Sequence, residues 1–151
     1  MGKYQSTKTF TGYSTAIRQH RAQHSHCKYE HGYSFEIKVW FEANELDDMN
    51  WVADFGGFKH NGIKDWFTYM FDHTLFIEEN DPFLDYYESG ASSGLSQLRI
   101  IPTGFMGCEG IAKIVFDKLN DILSKTDAGR CRVVKVEVSE HRLNSGIYTE
   151  I

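Results

Sequence analysis

The sequence has no excess of positive charge and no long apolar segment. Lys and Arg number 16 against 21 Asp and Glu, for a formal net charge of −5. A chain of this charge has no general attraction for nucleic acid, so an anionic ligand would need a local basic cluster. No apolar run approaches membrane-spanning length, and the N-terminus does not resemble a signal peptide. We therefore expect a cytoplasmic protein that binds neither nucleic acid nor membrane.

Cysteine is also scarce, with Cys27, Cys108 and Cys131 as its three positions. An odd number of cysteines without an export signal is typical of reduced thiols in the cytosol. The sequence has no CxxC pair and no recognised finger spacing, which argues against a structural zinc finger.

Proline is confined to a single stretch. Both prolines lie within residues 78–104, together with the Ser-Gly cluster at 89–94. This composition predicts a long excursion with little local structure. The chain shows no repeat and is long enough to bury its own core, so we expect one domain over residues 1–151.

Alternating apolar and polar residues predict strands over 4–17, 31–43, 131–140 and 147–149. The clearest pattern lies in the second of these, where His31 shares the apolar face. The other members of that face are Tyr33, Phe35, Ile37, Val39 and Phe41.

Helical spacing appears at 58–71 and 109–124, and a polar, histidine-rich loop is expected at 18–30. The resulting order is ββααββ. It indicates an α+β fold with two helices on one face of an antiparallel sheet.

The most informative candidate site is the segment from Cys27 to Gly32. A thiol lies four residues before His31, and a glycine joins that histidine to the strand. The thiolate is the reactive form of cysteine, so Cys27 is a candidate nucleophile or base. The loop also holds His20, His24 and His26. Imidazoles suit a catalytic zinc, which needs three protein ligands, although solvated loop histidines are the alternative.

Acidic residues mark two further candidate positions. Asp72 directly precedes His73, and an Asp can orient an imidazole for proton transfer, although such pairs are common by chance. Glu140 continues the apolar face of a late strand. Its carboxylate could pair with two N–H donors on the edge of a flat ligand. Alternatively, the strand ends at Ser139 and Glu140 points to water.

Taken together, these motifs resemble the 6-pyruvoyltetrahydropterin synthase and 6-carboxytetrahydropterin synthase family over nearly the whole chain. The residues that carry the resemblance are Cys27, His31, Gly32, Trp51, Asp54, Phe55, Lys59, Phe71, Asp72, His73, Pro102, Thr103, Glu109, Glu140 and Tyr148. It implies the tunnelling fold, in which subunits form barrels as homo-trimers or homo-hexamers. It also implies a site between subunits for 7,8-dihydroneopterin triphosphate.

The resemblance assigns roles to individual residues. Cys27 would be the general base, with Asp72 and His73 as its relay. Glu140 would bind the pterin ring. Thr103 and Glu109 would line the same pocket. A separate set of basic residues could contact the triphosphate or could form a solvated loop: Arg18, Arg21 and Lys28.

The sequence departs from the family at the metal site. The family holds zinc with three histidines, one on the first strand and two in a His-Gly-His motif. Here the motif reads His31-Gly32-Tyr33, and the first-strand position falls at Ala16. Either zinc binds His31 with a neighbour such as His26, or the metal is absent. Tyr33 would be either a weak ligand of the metal or an acid/base group.

A second departure is the insertion 104–107, which would reshape the wall of the pocket. The leading prediction is a lyase resembling 6-carboxy-5,6,7,8-tetrahydropterin synthase, which releases triphosphate and acetaldehyde in queuosine-type deazaguanine synthesis. One alternative is a metal-free pterin enzyme of the same fold, acting by retro-aldol cleavage, epimerisation or pyruvoyltetrahydropterin-synthase-type chemistry. The other is a non-catalytic pterin- or purine-binding protein.

Overall fold

The computed structural model describes residues 2–94, 99–104 and 106–150, which form eight strands and three helices. The strands are β1 Tyr4–Phe10, β2 Thr15–Arg18, β3 His31–Tyr33, β4 Glu36–Ala43, β5 Thr74–Glu78, β6 Ile100–Thr103, β7 Cys131–His141 and β8 Asn144–Thr149. The helices are α1 Ile63–Phe71, α2 Leu84–Ser92 and α3 Gly107–Thr126. Short 3-10 turns cover His26–Lys28 and Gly56–Lys59.

The larger sheet is antiparallel, with strand order β1-β4-β7-β8. Its inner face is apolar because apolar and polar side chains alternate along β4 and β7. On this face Val39 pairs with Val136, and Ile37 pairs with Val138. Helix α3 covers this face with a stripe of buried side chains at helical spacing: Ile111, Ala112, Val115, Phe116, Leu119 and Leu123. The predicted α+β class is confirmed.

A second, smaller sheet was not predicted. Its order is β3-β2-β5-β6, with β2 antiparallel to β3 but parallel to β5, and β5 parallel to β6. The hydrophobic pattern of the sequence did not indicate this sheet, because β2 and β3 are very short. In addition, all five residues of β5 are buried, so apolar and polar residues do not alternate along it. The predicted strands 4–17 and 31–43 each break in two, so the order ββααββ is wrong in its count.

The stretch 78–104 is more ordered than its composition predicted. It contains α2 and the strand β6, so the chain has three helices rather than two. Residues 95–98 of this stretch, and Phe105 of the predicted insertion, lie outside the described residues. No helix within the described part of the chain is long and apolar enough to cross a membrane.

A charged network on the outer face of the large sheet joins three strands. The Glu42 carboxylate, 9% exposed, accepts hydrogen bonds from Lys3 Nζ at 2.9 Å, Gln5 Nε2 at 2.9 Å and Arg132 Nη2 at 2.8 Å. These donors, Arg132 above all, lower the pKa of Glu42 to about 2. The network therefore ties β1 and β7 to the strand between them.

We expect Glu42→Gln to lower the free energy of unfolding at pH 7 by about 1–2 kcal/mol, because the charge-assisted bonds are lost. The folded-state pKa is depressed, so the wild-type advantage is complete above about pH 4.5 and disappears as the pH falls towards 2. Urea unfolding from pH 7 to pH 2.5 measures it. Glu36→Gln, at an exposed position of the same strand, should change stability by less than about 0.5 kcal/mol. Equal effects of the two variants would contradict the assignment.

Candidate active site

The register of the large sheet brings Glu140 beside Tyr33. Ser139 of β7 pairs with Glu36, the first residue of β4, and only two residues separate β4 from β3. Tyr33 therefore reaches the end of β7, where its phenol faces the Glu140 carboxylate. Burial, followed by the proximity and the charge of that carboxylate, raises the pKa of Tyr33 to about 12. The predicted pocket carboxylate thus faces a phenol within its own chain.

Cys27 is held near the same pair by its backbone. Its N–H is bonded to Ser25 Oγ at 3.2 Å, and its carbonyl accepts from the Gln19 N–H at 2.9 Å. The Cys27 thiol is half-buried. A negative charge on it would raise the pKa of Tyr33, so the two side chains lie within electrostatic reach of each other. Cys27 and Glu140 are therefore both close enough to Tyr33 to influence its phenol.

His31 lies against Tyr33 with its imidazole in a defined tautomer. The two rings meet edge to face, with centroids 4.9 Å apart. Nδ1 lies 2.6 Å from the Tyr29 carbonyl oxygen, which can only accept, so Nδ1 carries the proton. Nε2 then holds a lone pair. This nitrogen is buried and has no partner among the described residues.

The N-terminus of α3 forms the other wall of the site. It begins at Gly107, which has a positive φ of 86° and approaches the Gln19 side chain. Burial, followed by the charges of Glu140 and Glu109, raises the pKa of Cys108 to about 12. The predicted pocket residue Glu109 is therefore within electrostatic reach of the same thiol as Glu140.

Gly146 of β8 allows this wall to sit close to the sheet. A Cβ at Gly146 would lie 2.5 Å from the Glu109 backbone nitrogen and 2.8 Å from Cys108. Both are far inside van der Waals contact. The glycine is thus a requirement of the close approach between strand and helix.

We expect Gly146→Ala to push the start of α3 away and to destabilise the fold by about 1–3 kcal/mol. Ligand affinity should fall as well, because Cys108 and Glu109 move. The matched control is Gly104→Ala, where the nearest atom is a Glu79 side-chain oxygen at 3.8 Å. Thermal unfolding of both variants tests the contact, and an unchanged Gly146→Ala protein would contradict it.

Thiol reactivity offers a test of which cysteine is poised for chemistry. Burial raises the pKa of Cys108 to about 12 and that of Cys131 to about 11, so both stay protonated at pH 8. We expect iodoacetamide to modify Cys27 at least about 10-fold faster than the other two. Peptide mass spectrometry over time measures the three rates, and urea-unfolded protein is the control in which they converge. Reaction of Cys108 as fast as Cys27 would contradict the raised pKa of Cys108.

The Asp72-His73 pair forms as predicted, with His73 Nδ1 2.9 Å from Asp72 Oδ1. His73 has a positive φ of 56°, and its N–H donates to the Ser14 carbonyl at 2.7 Å. Its side chain is 76% exposed. A non-glycine residue in this conformation costs free energy and is frequent at functional sites.

The pair lies at the opposite end of β2 from the thiol. Ser14 binds His73, whereas Gln19 at the far end binds Cys27. An extended chain rises roughly 3.3 Å per residue, so these two attachment points are about 17 Å apart. The predicted relay to Cys27 is therefore not assembled by these contacts within one chain.

Thr103 is buried at the carboxyl end of β6 and pairs with Glu78 of β5. Since Ile77 pairs with Arg18, Glu78 lies in the same row as Gln19. Thr103 is thus two strands from Gln19, or about 10 Å. It shares the sheet end that holds Cys27.

The two arginines proposed as triphosphate contacts already have acidic partners. Arg18 Nε lies 2.7 Å from Asp81 Oδ2 and its guanidinium stacks over Phe83, while Arg21 Nε lies 3.2 Å from Glu78. Both carboxylates are buried. These pairs close the end of the small sheet, and Lys28, over the Tyr29 ring, is the basic residue of the three without an acidic partner.

The residues present do not fit the zinc site that the resemblance implies. His31 pairs across the strands with Ile17, whereas Ala16 pairs with Gly32 and so lies on the opposite face. His26 is exposed. No group of three His, Cys, Asp or Glu side chains in residues 2–94, 99–104 and 106–150 is arranged to hold a metal ion.

Several site residues had no signal in the sequence. Gln19 joins Cys27 to α3, and Asn144 donates from Nδ2 to Glu140 Oε1 at 3.3 Å. Both lie in polar segments that look like ordinary loops. Gly146 interrupts a short strand, which is the one signal that could have indicated a close backbone approach.

This chain is similar in sequence to proteins of one known family. The family model for 6-pyruvoyl tetrahydropterin synthase matches residues 7–150. The curated 6-carboxy-5,6,7,8-tetrahydropterin synthases of Rickettsia typhi and Rickettsia felis are 34% and 33% identical over 55 residues. That match covers 36% of this chain and 39% of each relative, so the chain spans about two fifths of the length of these relatives.

Solved structures resemble the whole chain. An uncharacterised protein from Wolinella succinogenes has a TM-score of 0.79 at 19% identity, with both chains fully covered. The 6-pyruvoyl tetrahydropterin synthase of Caenorhabditis elegans has a TM-score of 0.67 at 17% identity, covering 100% of this chain and 98% of that one. At these identities the likeness establishes the tunnelling fold alone. With the family model matching almost its full length, the chain belongs to the 6-pyruvoyl tetrahydropterin synthase family.

Proposed function

We propose that this protein is a lyase of the 6-carboxy-5,6,7,8-tetrahydropterin synthase type acting on 7,8-dihydroneopterin triphosphate, as in queuosine and 7-deazaguanine synthesis. The observation that carries the proposal is that Cys27 and Glu140 both lie within electrostatic reach of Tyr33. The names of the Rickettsia relatives support the specific reaction, and the family model supports the pterin substrate.

Each side chain has a role that its chemistry allows. The Glu140 carboxylate accepts two N–H donors from the amino-nitrogen edge of the pterin in a bidentate contact. The Cys27 thiolate removes a proton from the substrate side chain as a general base. Glu109 and Thr103 lie at the same end of the molecule and line the pocket. Of Arg18, Arg21 and Lys28, Lys28 has no acidic partner among the described residues and is the one assigned to the triphosphate.

In this proposal, a neighbouring copy of the chain supplies the Asp72-His73 relay. The large sheet ends in β1 on one side and β8 on the other, and an unpaired strand edge is a template for pairing with another chain. Pairing of β1 with β8 of a neighbouring copy would close a barrel, as a trimer or stacked hexamer. The Asp72-His73 pair of that copy, exposed and held in a strained conformation, would then reach Cys27.

The direct experiment is incubation of purified protein with 7,8-dihydroneopterin triphosphate, with and without chelator, followed by measurement of acetaldehyde and the pterin product. We expect turnover that falls at least about 100-fold in Cys27→Ala, because the general base is lost. Glu140→Gln should weaken pterin affinity about 10-fold or more, since one charge-assisted bond is removed.

Controls separate the possible outcomes. Glu137→Gln changes a carboxylate on the same strand that binds Ser145, and it should leave turnover unchanged. Pterin binding without turnover would replace the lyase with a non-catalytic binding protein. No pterin binding at micromolar concentration would reject the proposed substrate class.

A further inference from the structure

Tyr33 occupies a position where the resemblance implies a histidine ligand, but its side chain faces Glu140 and Phe35. Its hydroxyl faces Glu140, and its ring packs against Phe35 with centroids 5.3 Å apart. Glu140 Oε1 accepts a hydrogen bond from Asn144 Nδ2 at 3.3 Å. Tyr33 is therefore placed to donate, as Asn144 does, to the Glu140 carboxylate.

The first-strand position that faces His31 is Ile17, not Ala16 as the sequence indicated, and it carries no ligand atom. It pairs directly with His31 across β2 and β3, so both side chains project from the same face of the sheet. Ile17 is 3% exposed and belongs to the hydrophobic core. An aliphatic side chain there occupies the volume of a ligand and offers no electron pair. Among the described residues, His31 does not form a group of three His, Cys, Asp or Glu side chains that could hold a metal ion, whereas catalytic zinc needs three protein ligands.

We propose that this site is built to work without a resident metal, with Tyr33 as a positioning residue for Glu140 and His31 as a hydrogen-bond acceptor for a ligand hydroxyl. The metal-free part stands on the contacts of positions 17, 31 and 33 alone. The ligand part rests on the proposed pterin function.

The hydrogen-bond inventory is consistent with these roles. A carboxylate offers about four lone-pair sites. Asn144 uses one of them and Tyr33 is placed to use a second, which leaves two for a bidentate ligand edge. At His31, the Tyr29 carbonyl fixes the proton on Nδ1, so the buried, unpartnered Nε2 accepts from a donor of the ligand. A buried acceptor without a partner is costly until such a donor arrives.

Zinc affinity tests the metal-free part without any reference to activity. The full chain is stripped with chelator and titrated with zinc against a metallochromic indicator. We expect the wild type to bind zinc no more tightly than His31→Ala. The double variant Ile17→His with Tyr33→His should bind about one zinc per chain at least about 100-fold more tightly, because three imidazoles then share one face. The matched control is Ile17→Gln with Tyr33→Phe, which alters the same positions without adding imidazole.

Two results would overturn the metal-free site. One is stoichiometric zinc in the wild type that disappears in His31→Ala. The other is a folded double variant, shown by circular dichroism, that binds zinc no better than its control. If the buried histidine prevents folding, the comparison of wild type with His31→Ala still decides the question.

Neopterin fluorescence tests the positioning role of Tyr33. We expect Tyr33→Phe to weaken neopterin binding about 2- to 10-fold, the effect of one hydrogen bond. In Glu140→Gln the same substitution should have almost no further effect, because Tyr33 acts through that carboxylate. Additive effects of the two changes would overturn the positioning role. Failure of the wild type to bind neopterin would reject the pterin function while the zinc result stood unchanged.

Discussion

The pairing of β4 with β7 is the constraint on which the site depends. Its register sets Ser139 opposite Glu36, which puts Glu140 beside the short chain segment that carries Tyr33. A shift by one residue would turn both the apolar face and Glu140 to the other side of the sheet. The pairs Ile37 with Val138 and Val39 with Val136 prevent that shift, because both partners are buried under α3. Core packing therefore determines where the carboxylate points.

The small sheet organises the site in a second way. Its parallel strands put Gln19 and Thr103 at one end, with Cys27 attached through Gln19, and the Asp72-His73 pair at the other. A single chain thus carries both halves of the predicted machinery but separates them along β2. Open edges at β1 and β8 of the large sheet fit a protein whose site is completed by association. The separation of Cys27 from the Asp72-His73 pair and the open edges at β1 and β8 both follow from the strand order of the two sheets.

The substitutions at the metal position change the chemistry that the fold can support. A phenol with its pKa raised to about 12 remains a neutral donor at physiological pH, and here it faces a carboxylate. The His31 imidazole, with its Nδ1 proton held by the Tyr29 carbonyl, offers Nε2 as an acceptor. A donor and an acceptor fixed in a buried site can orient a polar ligand without reorganisation, which is how preorganised polar groups contribute to catalysis. In our proposal, membership of the family therefore does not require a resident metal in this chain.

The α+β class, the long strands of the large sheet and helix α3 could be predicted from the sequence alone. The sequence also indicated four candidate site residues: Cys27, Asp72, His73 and Glu140. These follow from local periodicity and from side-chain chemistry, which a linear pattern records. Only the tertiary structure revealed the small sheet, the position of Ile17 opposite His31, and the contact of Gly146 with α3. These depend on pairing between segments far apart in the chain. Short or fully buried strands carry no alternation from which that pairing could be inferred.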